Sequence, residues 1–410
     1  MPVEELERQY AALQGANLKL DLTRGKPAAA QLDLSDELDG ILNGDFTAED
    51  GTDVRNYGNL RGIPEARQLG AELLDVAPED VMAGGNASLT LMFYVLDAAM
   101  HYGILHRPWR DAGPAKAICP VPGYDRHFTL TDSFGMAPVT VAMQDDGPDM
   151  DAVERLVQDD PTVRCIWCVP KHSNPTGCTY SPEVVERIAR LPKLAAPGFL
   201  VLWDNAYAVH DFESPAVELT PILPLARAAG TADAIAMFAS TSKITHAGSG
   251  VAFVGGGAEL LDALERRFSA FMIGPDKVNQ LRHARLLSGR LAEHMHSHAV
   301  SVQPKFEAVQ AGLEQGLGGT GLATWTRPRG GYFVSLDTQP GLAKEVVGLA
   351  ADAGVVLTPA GATFPGGKDP DDRNIRIAPT FATLDEVVAA IDVLALCIRL
   401  ASARKSTEAA

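Results

Sequence analysis

The chain of 410 residues reads as an α/β protein, a mostly parallel seven-stranded sheet with helices on both faces plus a smaller α/β unit. Three observations carry that expectation. Short, near-continuous apolar runs alternate with helical stretches, the pattern of strands buried on both faces and joined by crossover helices. Apolar residues make up 46% of the chain, with 38 Gly and 27 Pro, as in a loop-rich enzyme and unlike a disordered or fibrous protein. The length exceeds what one core usually fills, so two lobes are expected.

In chain order, residues 1–20 carry Leu6, Tyr10, Leu13 and Leu20 loosely at helical spacing and predict an amphipathic helix. Residues 21–27 follow as an extended piece broken by Gly25 and Pro27; its cations Arg24 and Lys26 suit either a ligand-contacting loop or a plain connection. Tyr57 lies in a Gly-flanked turn before Pro64, which is pre-shaped for a helix start, and reads as a packing ring or as a phenol donating to an anion. The strand runs are 80–83, 115–120, 138–143, 163–169, 199–203, 234–239 and 251–254. Helices are expected over 88–100, 151–159 and 182–191. Only a short Gly-rich loop separates the last two strands, which predicts one antiparallel edge strand. A long helix over 276–315 would link the lobes, and strands 332–336 and 374–378 with helices 342–353 and 384–400 would build the smaller one. The division expected is 46–295 for the large domain, and 1–45 with 296–410 for the small one, ending in a polar tail from Ser402.

Polar clusters stand at the ends of these strands, where open α/β sheets hold ligands. Gly84-Gly85-Asn86-Ala87-Ser88 offers bare amides and a positive helix end to an anion, or is an ordinary turn. Tyr124 could stack on a flat heterocycle or simply pack. Asn174 sits in the rigid turn Asn174-Pro175-Thr176-Gly177, Asp204 and Tyr207 end the fifth run, and Ser240-Thr241-Ser242-Lys243 closes the sixth. A desolvated lysine there becomes a nucleophile toward an aldehyde; read alone it is more readily a surface lysine after a buried strand, since lysines are mostly exposed.

With 35 basic against 52 acidic residues, the charge of −17 disfavours nucleic acid and anionic membranes as partners. No apolar run is long enough to span a bilayer, and five cysteines without scaffold spacing suit a reducing, cytoplasmic setting. Cys165 and Cys168 fall within one strand, three residues apart and so on opposite faces, which argues against a metal site.

Taken together in this order, Tyr57, the Gly-rich turn, Asn174, Asp204-Asn205-Ala206-Tyr207 and Ser240-Thr241-Ser242-Lys243 resemble the fold-type I pyridoxal 5'-phosphate aminotransferases of the aspartate aminotransferase class. Pro328-Arg329-Gly330-Gly331-Tyr332-Phe333, Pro359-Ala360-Gly361 and Arg376-Ile377-Ala378 agree with it. The resemblance implies the aspartate aminotransferase-like fold and a covalent bond between Lys243 and the coenzyme aldehyde. It implies Asp204 against the pyridine nitrogen, with His127 either behind it or merely structural. Asn174 and Tyr207 would bond the phenolic oxygen and Tyr124 would stack on the ring. Phosphate would rest on Gly85, Asn86, Ala87 and Ser88 with Ser240 and Ser242. Tyr57 would reach over from the neighbouring subunit of a homodimer, and Arg376, Asn174 and Gly25 would hold the substrate, Arg376 by its α-carboxylate.

In one respect the chain departs from the family, which commonly carries a phosphate-binding arginine some eight positions after the lysine; here residues 244–251 contain none. That resembles a divergent bacterial subgroup, with Ser249 or the 248–250 amides expected to substitute. The reaction implied is transamination between an L-amino acid, aspartate first, and a 2-oxo acid, 2-oxoglutarate first, by a ping-pong route. Alanine, aromatic or 2-aminoadipate specificity, or a β-eliminating lyase or decarboxylase, remains open. A non-catalytic sensor fused to a DNA-binding module is disfavoured by the acidic balance. Arg24, Lys26, Arg126 and Arg329 are the candidate cations for a distal carboxylate.

Overall fold

A computed structural model describes residues 2–408; Met1 and residues 409–410, at the ends of the expected small domain, lie outside the described residues. The strands in chain order are β1 Leu20–Asp21, β2 Val81–Ala83, β3 Lys116–Val121, β4 Ala137–Gln144, β5 Gly147–Pro148, β6 Val163–Cys168 and β7 Leu200–Asp204. They continue with β8 Ile235–Ser240, β9 Ala252–Gly255, β10 Ala323–Trp325, β11 Val334–Thr338, β12 Val355–Val356 and β13 Asn374–Ile377. Each of the seven apolar runs between residues 80 and 254 is a strand with ends displaced by one residue at most, whereas the strand expected over 332–336 lies two residues later, at Val334–Thr338.

Among the described residues the large sheet has eight strands in the order β2-β9-β8-β7-β6-β3-β4-β5, the eighth being the two-residue β5 at one edge. β4, β3, β6, β7 and β8 run parallel. The expected antiparallel edge strand is not at the edge: β9 lies between β8 and β2 and is antiparallel to both. The loop from β8 is too short for a crossover, so β9 turns back beside it, and β2 then pairs with its outer side. Alternation splits the strand residues between two apolar layers. Ile166, Cys168, Val201, Trp203 and Met237 face one, while Cys165, Trp167, Leu202 and Phe238 face the other, so the two cysteines are on opposite faces.

A further core gathers Leu6, Tyr10, Val309, Leu313, Val334, Ile375, Ile391 and Leu394 around the antiparallel sheet β10-β11-β13. Its spine is the helix Leu291–Leu317 packed along Leu384–Glu408. A Cβ on Gly312 would stand 2.7 Å from Ile391, and one on Gly316 2.6 Å from Ala395, so glycine on this face lets the two helices approach closely.

Three local expectations are corrected, and one strand was not foreseen. The linking helix is two helices, Lys277–Leu287 and Leu291–Leu317, because Gly289 takes φ +70° between them. The first helix stops at Gly15, followed by Asn17 at φ +51°, and Leu20 instead starts β1, which pairs with β12. The polar tail from Ser402 continues the last helix to Glu408. β10 has no counterpart in the sequence reading, being three half-exposed or exposed residues with little apolar signal. Among the described residues no helix is long and apolar enough to cross a membrane.

Leu313 is fully buried at the packed helix pair, so Leu313→Ala should destabilise the protein by roughly 2–5 kcal/mol, seen as a lower urea midpoint; a change under about 0.5 kcal/mol would show that this spine is not tightly packed.

Candidate active site

The C-terminal ends of β3, β6, β7 and β8 point the same way, so the polar residues that follow each strand converge. Ser88, Tyr124, Asn174, Asp204, Tyr207 and Lys243 line one cleft.

Lys243 ends the short 3-10 turn Thr241–Lys243 that follows β8, a turn capped by the Ser240 hydroxyl accepting from the Ser242 amide. Its Nζ lies 5.1 Å from the centroid of the Tyr207 ring. Enclosure by protein pushes the amine pKa down from its ordinary 10.5, with the Asp204 carboxylate opposing that shift. Asp204 is itself buried. Its Oδ2 accepts from His127 Nε2 at 3.0 Å, whereas its buried Oδ1 has no partner among the described residues. His127 stacks on Trp167 at 4.2 Å and 7°. Trp167 Nε1 donates to Thr131, whose hydroxyl returns to the His127 carbonyl. Burial raises the phenols of Tyr207 and Tyr124, the latter to about 12, so both are neutral donors at physiological pH.

A buried carboxylate oxygen without a donor needs one, and a protonated pyridine nitrogen is a donor of the right kind. An amine with a depressed pKa is the group that attacks an aldehyde. The residues present therefore fit a pyridine aldehyde, with acid, amine and two phenols around it.

The predicted anion-binding turn adjoins this cleft. Ser242 Oγ donates to the Asn86 carbonyl at 2.9 Å, and Asn86 Nδ2 donates to the Gly248 carbonyl at 3.4 Å. Gly85 takes φ +72°, and the helix Ser88–His101 begins at Ala87 without a side-chain cap, which leaves its first amides for an anion. A Cβ on Gly250 would stand 3.0 Å from the Ser242 amide, so the glycine loop after Lys243 lies against the same cluster.

Arg376, on β13, reaches the cleft from the second core. One Nη donates at 3.4 Å to Asn174 Oδ1 and to Asp125 Oδ1, the other at 3.4 Å to Thr358 Oγ1, and the buried Nε has no partner among the described residues. The guanidinium carbon lies 4.9 Å from the Phe333 ring centroid. Gly25 packs on the same ring: a Cβ there would stand 2.2 Å from Phe333 Cζ.

Tyr57 stays outside this group and is 81% exposed. Its loop is anchored from below, where the buried Lys277 Nζ donates to the carbonyls of Asn56 at 2.6 Å and Gly58 at 3.0 Å. None of the four candidate cations lines the cleft. Arg329 pairs with Glu213 at 2.7 Å, Lys26 lies over Phe381, Arg126 is exposed beside Asp125, and Arg24 is exposed. Asp125 and Thr358 were missed by the sequence reading; each directly adjoins a motif that it singled out, Tyr124 and Pro359-Ala360-Gly361, and that adjacency was the available signal.

The family model described as aspartate amino-transferase matches residues 2–409. A relative from Mycolicibacterium smegmatis named only as an aminotransferase is 50% identical over 406 residues, covering 97% of this chain and 94% of its own. The aspartate aminotransferase of Corynebacterium glutamicum is 46% identical over 405 residues, covering 98% and 93%. The crystal structure of an aspartate transaminase from Corynebacterium glutamicum superposes with a TM-score of 0.95 at 46% identity, over 98% of this chain and 96% of that one. The α-aminoadipate aminotransferase LysN of Thermus thermophilus shares the fold with a TM-score of 0.77 at 21% identity, covering 94% and 93%.

Two buried histidines beneath the site, His210 and His298, are pushed by burial to about 3 and about 4, from an ordinary 6.5. Unfolding lets them protonate, so stability should fall as pH drops from about 6.5 toward about 4, by roughly 1.4 kcal/mol per pH unit for each group. Denaturation curves at pH 7, 6 and 5 measure this, and His298→Gln should remove one group's share of the slope. A flat profile would contradict buried, neutral imidazoles.

Proposed function

The chain belongs to the aspartate aminotransferase family, and from that premise we propose that it carries an amino group from L-aspartate to 2-oxoglutarate by a ping-pong route, with pyridoxal 5'-phosphate bonded to Lys243. One observation carries the reading: a buried amine with lowered pKa and a buried carboxylate with one unpartnered oxygen share a cleft. Bound there, the coenzyme supplies an aldehyde for the amine and a ring that takes up the electron pair when the substrate Cα–H bond breaks.

The protein's part is positioning and proton handling. Asp204, braced by His127, keeps a proton on the ring nitrogen by offering its free oxygen as acceptor. Asn174 and Tyr207, which line the cleft, would donate to the phenolic oxygen, and Tyr124 would cover the ring face. Lys243, with its amine in the cleft and its pKa lowered by burial, would be the group that moves a proton to and from the substrate Cα. Arg376 binds the α-carboxylate with its planar fork, backed by Phe333. Gly25 leaves room for that ring. The phosphate would be held by amides at Gly85, Asn86, Ala87 and Ser88 and by the hydroxyls of Ser240 and Ser242, the latter turning from the Asn86 carbonyl to which it otherwise donates. The chain would then belong to a subgroup without the phosphate arginine, the amides of 248–250 supplying part of its role.

Aspartate is the first choice because a named relative of high identity acts on it. No candidate cation faces the cleft, so the distal carboxylate would be met from another subunit. We assign 46–295 to a coenzyme domain, and 1–45 with 296–410 to a small domain that closes over substrate, although Leu38 and Leu42 of the joining stretch pack into the larger core. A homodimer with shared sites, in the cytoplasm, is the assembly proposed; its interface would cover Tyr57 and Ile273, which are 81% and 63% exposed on loops that meet at Gly58 and Gly274.

Adding amino acids one at a time to the coenzyme-loaded protein should bleach its visible absorbance fastest with aspartate, and 2-oxoglutarate should restore it. Ammonia or carbon dioxide released without an oxo acid would replace this reading with a lyase or decarboxylase. Tyr57→Ala should weaken coenzyme binding about tenfold or more, the loss of a charge-assisted hydrogen bond. The melting temperature of coenzyme-free protein should hold, and unchanged affinity would remove Tyr57 from the site.

A further inference from the structure

The main chain at Lys243 is held by more side chains than the coenzyme requires. The carbonyl of Lys243 accepts from His210 Nε2 and from the Tyr332 hydroxyl, both at 3.2 Å. The next carbonyl, Ile244, accepts from His294 Nε2 and His298 Nε2, both at 2.7 Å. These carbonyls follow a short 3-10 turn, where main-chain acceptors lack intrahelical donors. Side chains from distant parts of the chain supply them.

Behind these donors sits Gln31, fully buried in the N-terminal segment. Its Oε1 accepts from the Ala28 amide at 3.0 Å, which fixes which end of the side-chain amide is oxygen. Its Nε2 then donates at 3.1 Å to His298 Nδ1 and at 3.1 Å to the Tyr332 oxygen. His298 is thereby held as the neutral tautomer with its proton on Nε2, directed at Ile244, and the Tyr332 proton is left for Lys243. Every donor and acceptor along this path has one available role.

We propose that Gln31, His298 and Tyr332 are positioning residues that set where the Lys243 amine stands, by fixing the two carbonyls that follow its Cα. Because the chain from Gly25 to Gln31 is short and Gly25 packs on Phe333 beside Arg376, the segment that holds the Lys243 main chain through Gln31 also packs beside that arginine. This rests on the reading that Lys243 bonds the coenzyme.

The test separates bonding from pocket integrity. Coenzyme-free wild type, Gln31→Glu and Tyr332→Phe are mixed with pyridoxal 5'-phosphate, and the rate of rise of visible absorbance is followed. Affinity for pyridoxamine 5'-phosphate, whose amine cannot bond to a lysine, is measured alongside. Gln31→Glu keeps the shape but removes both donors; Tyr332→Phe removes one donor and keeps the ring, so it serves if the first does not fold. Bonding should slow by about tenfold or more, as a misplaced nucleophile does, while pyridoxamine 5'-phosphate affinity stays within about twofold. Equal losses in both, or a loss in neither, would overturn the proposal. A wild type that never develops the absorbance would instead overturn the functional reading itself.

Discussion

Lys243 must keep an amine in a place where charge is costly, and much of the structure follows from that requirement. Water solvates an ammonium far better than a protein interior does, so enclosure lowers the pKa and readies the nitrogen for an aldehyde. The Asp204 carboxylate pulls the other way. It also keeps one oxygen without a partner, an expense that a stable core would avoid and that a ligand donor would remove. Asp204 ends β7 and Lys243 closes the short turn after the adjacent parallel strand β8, so the sheet goes far to fix their relation.

Around this pair the two cores contribute different things. The sheet supplies groups for a flat heterocycle: Tyr124, Asn174, Asp204 and Tyr207 all line the cleft. The second core supplies Arg376, seated against Phe333 and reaching across to Asn174. Small residues decide how closely these parts approach. Gly25 is needed because the Phe333 ring occupies the space that a Cβ would take. The second core in turn takes its rigidity from two long helices brought together where Gly312 and Gly316 face Ile391 and Ala395.

The fold was largely legible because buried parallel strands are uniform apolar runs, and each such run ended in the polar cluster that chemistry needs. Where the signal was weaker, tertiary structure decided. Nothing local says that β9 would be flanked on both sides, and Gly289 breaks the linking helix only because its φ is positive there. At the site, Asp204, Asn174 and Lys243 were readable by position at strand ends. Asp125, Thr358 and Gln31 were not; Asp125 and Gln31 matter through partners more than 200 residues away in the chain, Arg376 for the first, His298 and Tyr332 for the second. Thr358 lies close to Arg376 in sequence but belongs to the site only through the fold of the second core. Such pairings leave no periodicity to read.

The account stands on the amine of Lys243 as the point of coenzyme attachment. Borohydride reduction of the coenzyme-loaded protein, followed by peptide mass mapping, tests it directly. The predicted result is a single pyridoxyl group on the peptide containing Lys243. An unmodified Lys243, or a label on another lysine, would contradict the account.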